Sequence, residues 1–424
     1  MNNKRASKRQ TAMLKLRWET EFKKTEIGEI PKDWEVRRLG EVLRSLESGN
    51  RPKGGALSHD PYGILSIGGE NINWDGSLQL ENSLRFNEEF YNSLRKGKIE
   101  EEDILLVKDG ATIGKLAFIS KIPEGKAMVN EHVFLVKTDP TKFNSRFLFY
   151  FLFSEIGQQQ IESSISGSAQ GGINKSIQGN IIVISPPLPE QSRIATVLSW
   201  FDDLIENKKK QNEILEKTAM AIFKSWFIDF EPFKDGEFVF SDEFGIEIPK
   251  GWEVGKVISI SSIISGRGRY LIEAKGGTYP LWGANGILGY IDNYDLEGLS
   301  IITGRVGTLG NVFLVEGKFA ISDNVLCIIP NYGAWTFFLY LWIKLQIDFE
   351  SLNVGTSQPL ITKTALGSEP IILPPPPVLQ SFHYIVEPLF QKIILNQKQT
   401  MTLRKVRDTL LPLLVFGKLR VEEL

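Results

Sequence analysis

Chemistry at a protein surface needs a nucleophile, a metal or a poised proton, and this sequence is poor in all three. It has three histidines, His59, His132 and His383, and one cysteine, Cys327. The histidines lie far apart and none forms a His-x-x-x-His or His-x-x-Glu pair, so hydrolysis on a histidine-bound metal is not expected. One cysteine allows neither an internal disulfide nor a thiolate zinc cage, which suits a reducing cytoplasm. A phosphate loop requires Gly-x-x-x-x-Gly-Lys-Ser/Thr. The run Gly110 to Gly114-Lys115-Leu116 is one residue short and ends in leucine. Methylation of an adenine amino group requires an Asn/Asp-Pro-Pro-aromatic loop to hold the extruded base. Ser185-Pro186-Pro187-Leu188 lacks the stacking aromatic and reads as a helix stop-and-start. Glu273-Ala274-Lys275 is a nuclease-like triplet with no placed upstream aspartate. The chain shows no catalytic chemistry of its own.

Binding groups are better represented. Arg51-Pro52-Lys53-Gly54-Gly55 and Gly266-Arg267-Gly268-Arg269 set cations beside glycine. Such turns can approach phosphates closely, and an arginine fork can read guanine; each can equally be an ordinary basic turn. Gln170 and Gln358 sit in short polar loops, where an amide can pair with adenine or cap a backbone turn. Lys108, Lys115 and Arg305 flank Gly-Thr turns and are candidates for phosphate contact. Asn71, Asn73 and Trp74 could touch bases, but a structural turn around a core tryptophan is the preferred reading. Trp34 and Trp252 read as core anchors. Lys208-Lys209-Lys210 is a solvated helix face or touches a DNA backbone.

The chain that carries these groups has 424 residues, enough for two or three domains. Its 49 basic and 51 acidic residues give a net charge of −2, which excludes binding by bulk positive charge but not by local patches. A hydrophobic share of 42% excludes wholesale disorder. The first 24 residues are rich in lysine and arginine with no apolar run behind them; they read as a frayed basic extension over 1–23 or a DNA-contacting arm, not a signal peptide. The most apolar stretches, Phe147–Phe153 and Trp335–Ile343, are about half the ~20 residues of a bilayer span, so no membrane segment is expected and both should be buried helices.

The sequence is written twice. Ile30-Pro31-Lys32-Asp33-Trp34-Glu35-Val36 recurs as Ile248-Pro249-Lys250-Gly251-Trp252-Glu253-Val254. Gly110-Ala111-Thr112-Ile113-Gly114-Lys115 is echoed by Val306-Gly307-Thr308-Leu309-Gly310-Asn311. Gly167-Ser168-Ala169-Gln170 with Ile173 matches Gly355-Thr356-Ser357-Gln358 with Ile361. Pro186-Pro187-Leu188-Pro189-Glu190-Gln191 answers Pro374-Pro375-Pro376-Pro377-Val378-Leu379-Gln380. Four blocks in one order imply a tandem duplication. Within each copy, short β-type runs broken by glycine precede an apolar helix, a polar loop and a last strand, which argues for an α+β globule.

A long helix should follow each proline-rich stop. Leu198, Phe201, Ile205, Lys208, Asn212, Leu215, Ala219, Ile222 and Trp226 step by three and four, the seam of a coiled coil. Val386, Leu389, Ile393, Asn396, Thr400, Leu403, Arg407, Leu410 and Leu414 step the same way, although Pro388 and Pro412 suggest a shorter effective helix. A rod from Gln191 to Asp229 would be about 58 Å long, too long to bury its stripe on its own globule. Its natural partner is the other helix, in an antiparallel pair with a globule at each end and a pseudo-twofold axis between them. Such a spacer would cover about 17 base pairs. The polar seam residues Lys208, Asn212 and Asn396 should set register.

The paired Trp-Glu-Val openings, the Gly-Ser/Thr-x-Gln loops and the Pro-Pro-Leu-Pro-Glu-Gln helix start resemble the specificity (S) subunit of type I restriction–modification systems, over about residues 24–424. The resemblance implies target-recognition domains at 24–185 and 236–373, with a central conserved helix at 186–235 and a C-terminal one at 374–424. It implies a non-catalytic subunit that reads a two-part, asymmetric double-stranded DNA target and recruits two methyltransferase (M) subunits and restriction (R) subunits. S-adenosylmethionine, ATP and Mg²⁺ would belong to those partners and no cofactor to this chain. DNA contacts would fall among Arg51, Lys53, Lys108, Lys115, Gln170, Arg267, Arg269, Arg305 and Gln358. Helix and partner contacts would fall among Leu198, Phe201, Ile205, Leu215, Ile222, Leu389, Ile393, Leu403 and Leu410. Val378-Leu379 departs from the Pro-Glu of the first copy. The alternatives are a stand-alone methyltransferase or nuclease with fused recognition domains, and a coiled-coil adaptor that does not touch DNA.

Overall fold

The computed structural model describes residues 14–55, 59–81, 83–166, 171–266, 268 and 277–423. The chain forms two compact units, one of residues 1–204 with 402–424 and one of residues 205–401. Both mix helix and sheet, as the α+β reading expects.

In the first unit a hairpin, Phe22–Thr25 with Gly28–Pro31, leads into the repeated tryptophan motif. Trp34 closes a turn onto the Pro31 carbonyl at 3.1 Å and is fully buried. Glu35–Arg38 then pairs antiparallel with Ile182–Ser185. A four-stranded antiparallel sheet runs Leu43–Ser48, Val133–Thr138, Ile104–Val107, Leu116–Phe118. Beside it, Ile64–Ile67 lies parallel to Ala127–Val129 and antiparallel to Leu84–Phe86. The helix Ser145–Phe153 starts where the Asn144 side chain accepts a hydrogen bond from the Phe147 N–H. Its phenylalanines and leucines are apolar all round because it is buried.

The second unit repeats this plan. The hairpin Phe238–Ser241 with Ile246–Pro249 precedes Trp252, whose N–H returns to the Pro249 carbonyl at 3.1 Å. Glu253–Lys256 pairs with Pro370–Leu373. Its six-stranded sheet runs Ser261–Ser265, Val325–Pro330, Leu296–Gly304, Val312–Ile321, Tyr279–Gly283, Gly286–Ile291. The order matches the first unit strand for strand. The difference is that the ten-residue strand Val312–Ile321 does the work of two shorter ones, Leu116–Phe118 and Ala127–Val129, which residues 119–126 separate. Two glycines carry the likeness to atomic detail. A Cβ on Gly49 would lie 2.0 Å from the Val129 carbonyl oxygen, and one on Gly266 2.1 Å from that of Ile321. Only glycine fits either place.

The two long helices, Leu188–Phe227 and Pro376–Val415, have 40 residues each. The second is not shortened by proline: it continues through both Pro388 and Pro412. Each proline removes one donor, but Val386 and Phe390 flank the first and Leu411 and Leu414 the second, all buried in core, so packing on both sides holds the rod together. The helices pair antiparallel in each unit. In the first, Arg407 meets Asp202 at 2.7 Å and the Arg193 Nε donates to the Val421 carbonyl at 2.7 Å. In the second, Lys208 donates to Gln399 at 2.5 Å and Asn396 to Asn212 at 2.9 Å, while Phe223 packs edge-on against Phe382. Asn212 and Asn396 thus face one another at the seam, as polar register-setting residues should.

Residues 14–23 are not frayed. Leu14–Trp18 pairs antiparallel with Leu419–Glu423, and Arg17 meets Glu422 at 2.7 Å. The first thirteen residues, with Lys4, Arg5, Lys8 and Arg9, lie outside the described residues.

Candidate nucleic-acid interface

In each unit the same backbone bonds gather several loops at one place. In the first, the Lys108 N–H donates to the His132 carbonyl at 2.9 Å, and the Lys108 carbonyl accepts from Ile173 at 2.7 Å. The Val107 N–H reaches the Lys115 carbonyl at 2.9 Å, and the Asn130 N–H that of Ile67 at 3.0 Å. In the second, Arg305 donates to Asn324 at 2.9 Å and accepts from Ile361 at 2.8 Å. Gly304 reaches Asn311 at 3.3 Å, and Ser322 reaches Trp282 at 2.9 Å. Lys108 and Arg305 are therefore equivalent positions, as are His132 and Asn324, and Lys115 and Asn311. Three of the sequence candidates, Lys108, Lys115 and Arg305, stand on this shared frame.

The side chains on the frame differ between the copies. In the first they are charged. Lys108 Nζ lies 3.0 Å from Asp109 Oδ2, and His132 Nδ1 forms a short hydrogen bond with Asp109 Oδ1. Glu131 sits between His132 Nε2, at 3.5 Å, and the Arg51 guanidinium, at 3.4 Å. Asn50, Arg51, Glu70, Asn130, Glu131 and His132 border a recess of about 200 Å³. Arg51 thus joins this cluster, while Lys53 lies at the exposed Pro52–Gly55 turn. In the second copy Arg305 keeps the cation of Lys108, while amides stand around it. Asn285 donates to Thr308 at 3.2 Å, and Asn311 donates to Asn285 Oδ1 at 2.9 Å and to the Ala284 carbonyl at 3.2 Å. The Gln358 amide lies 3.6 Å from where a Cβ on Gly307 would stand. Arg305 is half-buried, and among the described residues its Nε has no hydrogen-bond partner.

Trp74 corrects the expectation of a core tryptophan. It is 60% exposed, with Lys115 Nζ 5.9 Å above its ring. The turn beneath it is held by Asn73 and Ser77 and by an Asp75–Arg404 ion pair at 2.6 Å, so the indole is not needed inside. Asn71 is structural: buried, it accepts from the Gly68 N–H and donates to the Gln79 carbonyl. Trp34 and Trp252 are core residues, as read. Gln170, Arg267 and Arg269 lie outside the described residues. Sequence reasoning missed Asp109, His132, Asn285 and Asn311. The available signal was their position one or a few residues from a repeated strand or turn.

On the long helices Leu198, Ile205 and Ile393 are buried. Phe201, Leu215, Ile222, Leu389 and Leu410 pack half-buried against the cores, and Leu403 is half-buried. A tyrosine ties each globule to the first helix: Tyr150 donates to Asp202 at 2.5 Å, and Tyr340 donates to Glu216. Burial, and then the neighbouring carboxylate, hold both phenols well above their ordinary pKa, so both stay protonated donors. Among the described residues no group of His, Cys, Asp and Glu is placed to hold a metal, and no helix is long and apolar enough to cross a membrane.

A family model for the type I restriction modification DNA specificity domain matches residues 31–217 and 249–404. The type I restriction enzyme MjaIX specificity subunit of Methanocaldococcus jannaschii is 34% identical, over 97% of this chain and 99% of that protein. A putative MjaX specificity subunit of the same organism is 28% identical over 95% and 98%. The crystal structure of a type I restriction–modification S subunit from M. genitalium covers 90% of this chain and 96% of its own, with a TM-score of 0.53 at 20% identity, a likeness of fold.

Proposed function

Because this chain belongs to the type I restriction modification DNA specificity family and is a sequence-recognition component rather than the enzyme itself, we propose that its two copies read the two parts of one asymmetric duplex target. The paired helices, on this reading, carry two methyltransferase subunits. Those subunits bind S-adenosylmethionine and methylate adenine N6, and restriction subunits that use ATP and Mg²⁺ join them. The observation that carries the reading is one loop frame built twice with different side chains. Two readers that share a scaffold and differ in their tips suit a target whose two parts differ in sequence. The setting would be cytoplasmic, where DNA is reached.

The test uses the chain co-purified with the methyltransferase of its own system, supplied with S-adenosylmethionine and a random-sequence duplex library. Methylation confined to one two-part motif is expected. Methyl transfer by the chain alone would instead make it a stand-alone enzyme, and a methylated motif in one continuous block would remove the two-reader model.

A further inference from the structure

The duplicated frame separates what is common to both half-sites from what is particular to each. Any duplex offers the same phosphates to both copies, whereas the bases differ. Positions that keep their chemistry in both copies therefore serve the backbone, and neighbouring positions that change serve the bases. We propose that His132, positioned by Asp109, is the base-reading side chain of the first copy, that the linked pair Asn285 and Asn311 is that of the second, and that Lys108 and Arg305 are the equivalent phosphate anchors beside them. The assignment rests on the reading above that this chain recognises duplex DNA.

The geometry gives each group its role. Lys108 and Arg305 hold one place through the same two backbone bonds, so each cation is aimed by strand structure and not by a flexible loop. Arg305 is half-buried, and its Nε, itself shielded from solvent, has no hydrogen-bond partner among the described residues. His132 is tethered at Nδ1 by Asp109, and its side chain is 51% exposed. Its Nε2 edge, with the Glu131 carboxylate 3.5 Å away, is the part of the ring left to meet a base edge in the groove. In the second copy each amide holds the other. Asn311 spends its Nδ2 on Asn285 and Ala284, leaving its Oδ1 as an acceptor, while Asn285 keeps one N–H after its bond to Thr308. A donor and an acceptor side by side match the N7 and N6 groups of adenine in the major groove. Because both amides are already held, little side-chain freedom is lost on binding.

The experiment maps methylated motifs and salt-dependent DNA binding for the intact complex with its methyltransferase. H132A should relax or change positions in one half-site only, and N311A positions in the other only, each lowering discrimination roughly five- to hundredfold. H132N guards against a folding artefact: it keeps the backbone bond and installs the residue type present at the equivalent Asn324. It too should change the first half-site. K108A and R305A should weaken binding to all sequences alike, reduce the log–log salt slope by about 0.9, and leave the motif intact. A clean wild-type motif that H132A and N311A leave unchanged overturns this assignment alone, as does a motif altered by K108A or R305A. A wild-type complex with no sequence preference overturns the underlying reading with it.

Discussion

Glu190 and Arg420, 230 positions apart, meet in a two-point ion pair at 2.6 and 2.7 Å. The guanidinium also takes both oxygens of Asp33, at 3.1 and 2.9 Å, reaches Glu19 at 2.6 Å, and lies 5.3 Å over the ring of Trp34. Trp34 completes the knot by donating its indole N–H to Glu190 at 3.1 Å. The hydrogen bond to Glu190, followed by Asp33 and Glu19, keeps Arg420 firmly charged. The second unit solves the same problem without charge: the matching backbone bonds put Val378 where Glu190 would stand, and Phe230 and Phe233 pack edge-on to Trp252 at 5.5 and 5.1 Å. The backbone shifts the expected departure by one residue, since Pro377 matches Pro189 and Leu379 matches Gln191; it falls at Val378, as one half of a matched exchange.

Removing only the cation should be costly. Arg420→Met leaves Glu190 and Glu19 buried without their partner, and a loss of about 3–5 kcal/mol is expected in urea unfolding. Glu190→Leu combined with Arg420→Met should recover at least about 1 kcal/mol relative to the sum of the single changes. Strict additivity would show that the pair does not act as a unit.

Acid should loosen the same region. Burial pushes the Glu19 carboxyl up, but the N–H groups of Glu21 and Thr20, with Arg420, outweigh it and hold the pKa at about 2, below the ordinary 4.5. A depressed carboxylate contributes stability that is complete above about pH 4.5 and is lost as pH falls toward about 2. Unfolding free energy measured across that window should fall less steeply in Glu19→Gln than in the parent chain.

The helix seam should tolerate grease better than charge. Asn396 is fully buried, donates to Asn212 and Gln211, and leaves its Oδ1 without a partner among the described residues. Asn396→Leu should be neutral or stabilising, while Asn396→Asp should cost about 3 kcal/mol or more by burying an unpaired charge. A thermal midpoint at or above the parent's for Asn396→Leu, and well below it for Asn396→Asp, is the expected result.

Phe382 marks the second core. It packs against Phe223, Trp226 and Phe227, so Phe382→Ala should cost about 3–5 kcal/mol. Tyr384, two residues on, is 80% exposed, and Tyr384→Ala should stay within about 0.5 kcal/mol. Equal effects would mean that the helix face is wrongly assigned.

The duplication, both core tryptophans, the buried helices and the two long rods were legible in the sequence because each rests on local pattern: a repeated string, an apolar run or a three-four step. What was hidden depended on contacts remote in the chain. Nothing local marks Leu419–Glu423 as the partner of Leu14–Trp18, or excuses Pro388 inside a helix whose neighbours are pinned in a core. Trp74 misled because indoles are usually buried, and here an Asp75–Arg404 pair anchors the turn in its stead. At the candidate interface the cations were visible beside their glycines. His132 and Asn311 were not, since only the matching backbone bonds show which positions of the two copies correspond, and Asp109 and Asn285 join them only through side-chain bonds.

The exchange around the two tryptophans has an effect on which ends can mate. Were the segment bearing Arg420 to settle on Trp252, its charge would meet Val378 and find no carboxylate; were Phe230 to settle on Trp34, it would strand Glu190. Either misfit abandons a buried ion or carboxylate, which is far worse than the correct match. A duplicated chain runs a standing hazard of confusing its own halves, and here lock and key are cut differently for each, so that every rod terminus finds its proper home.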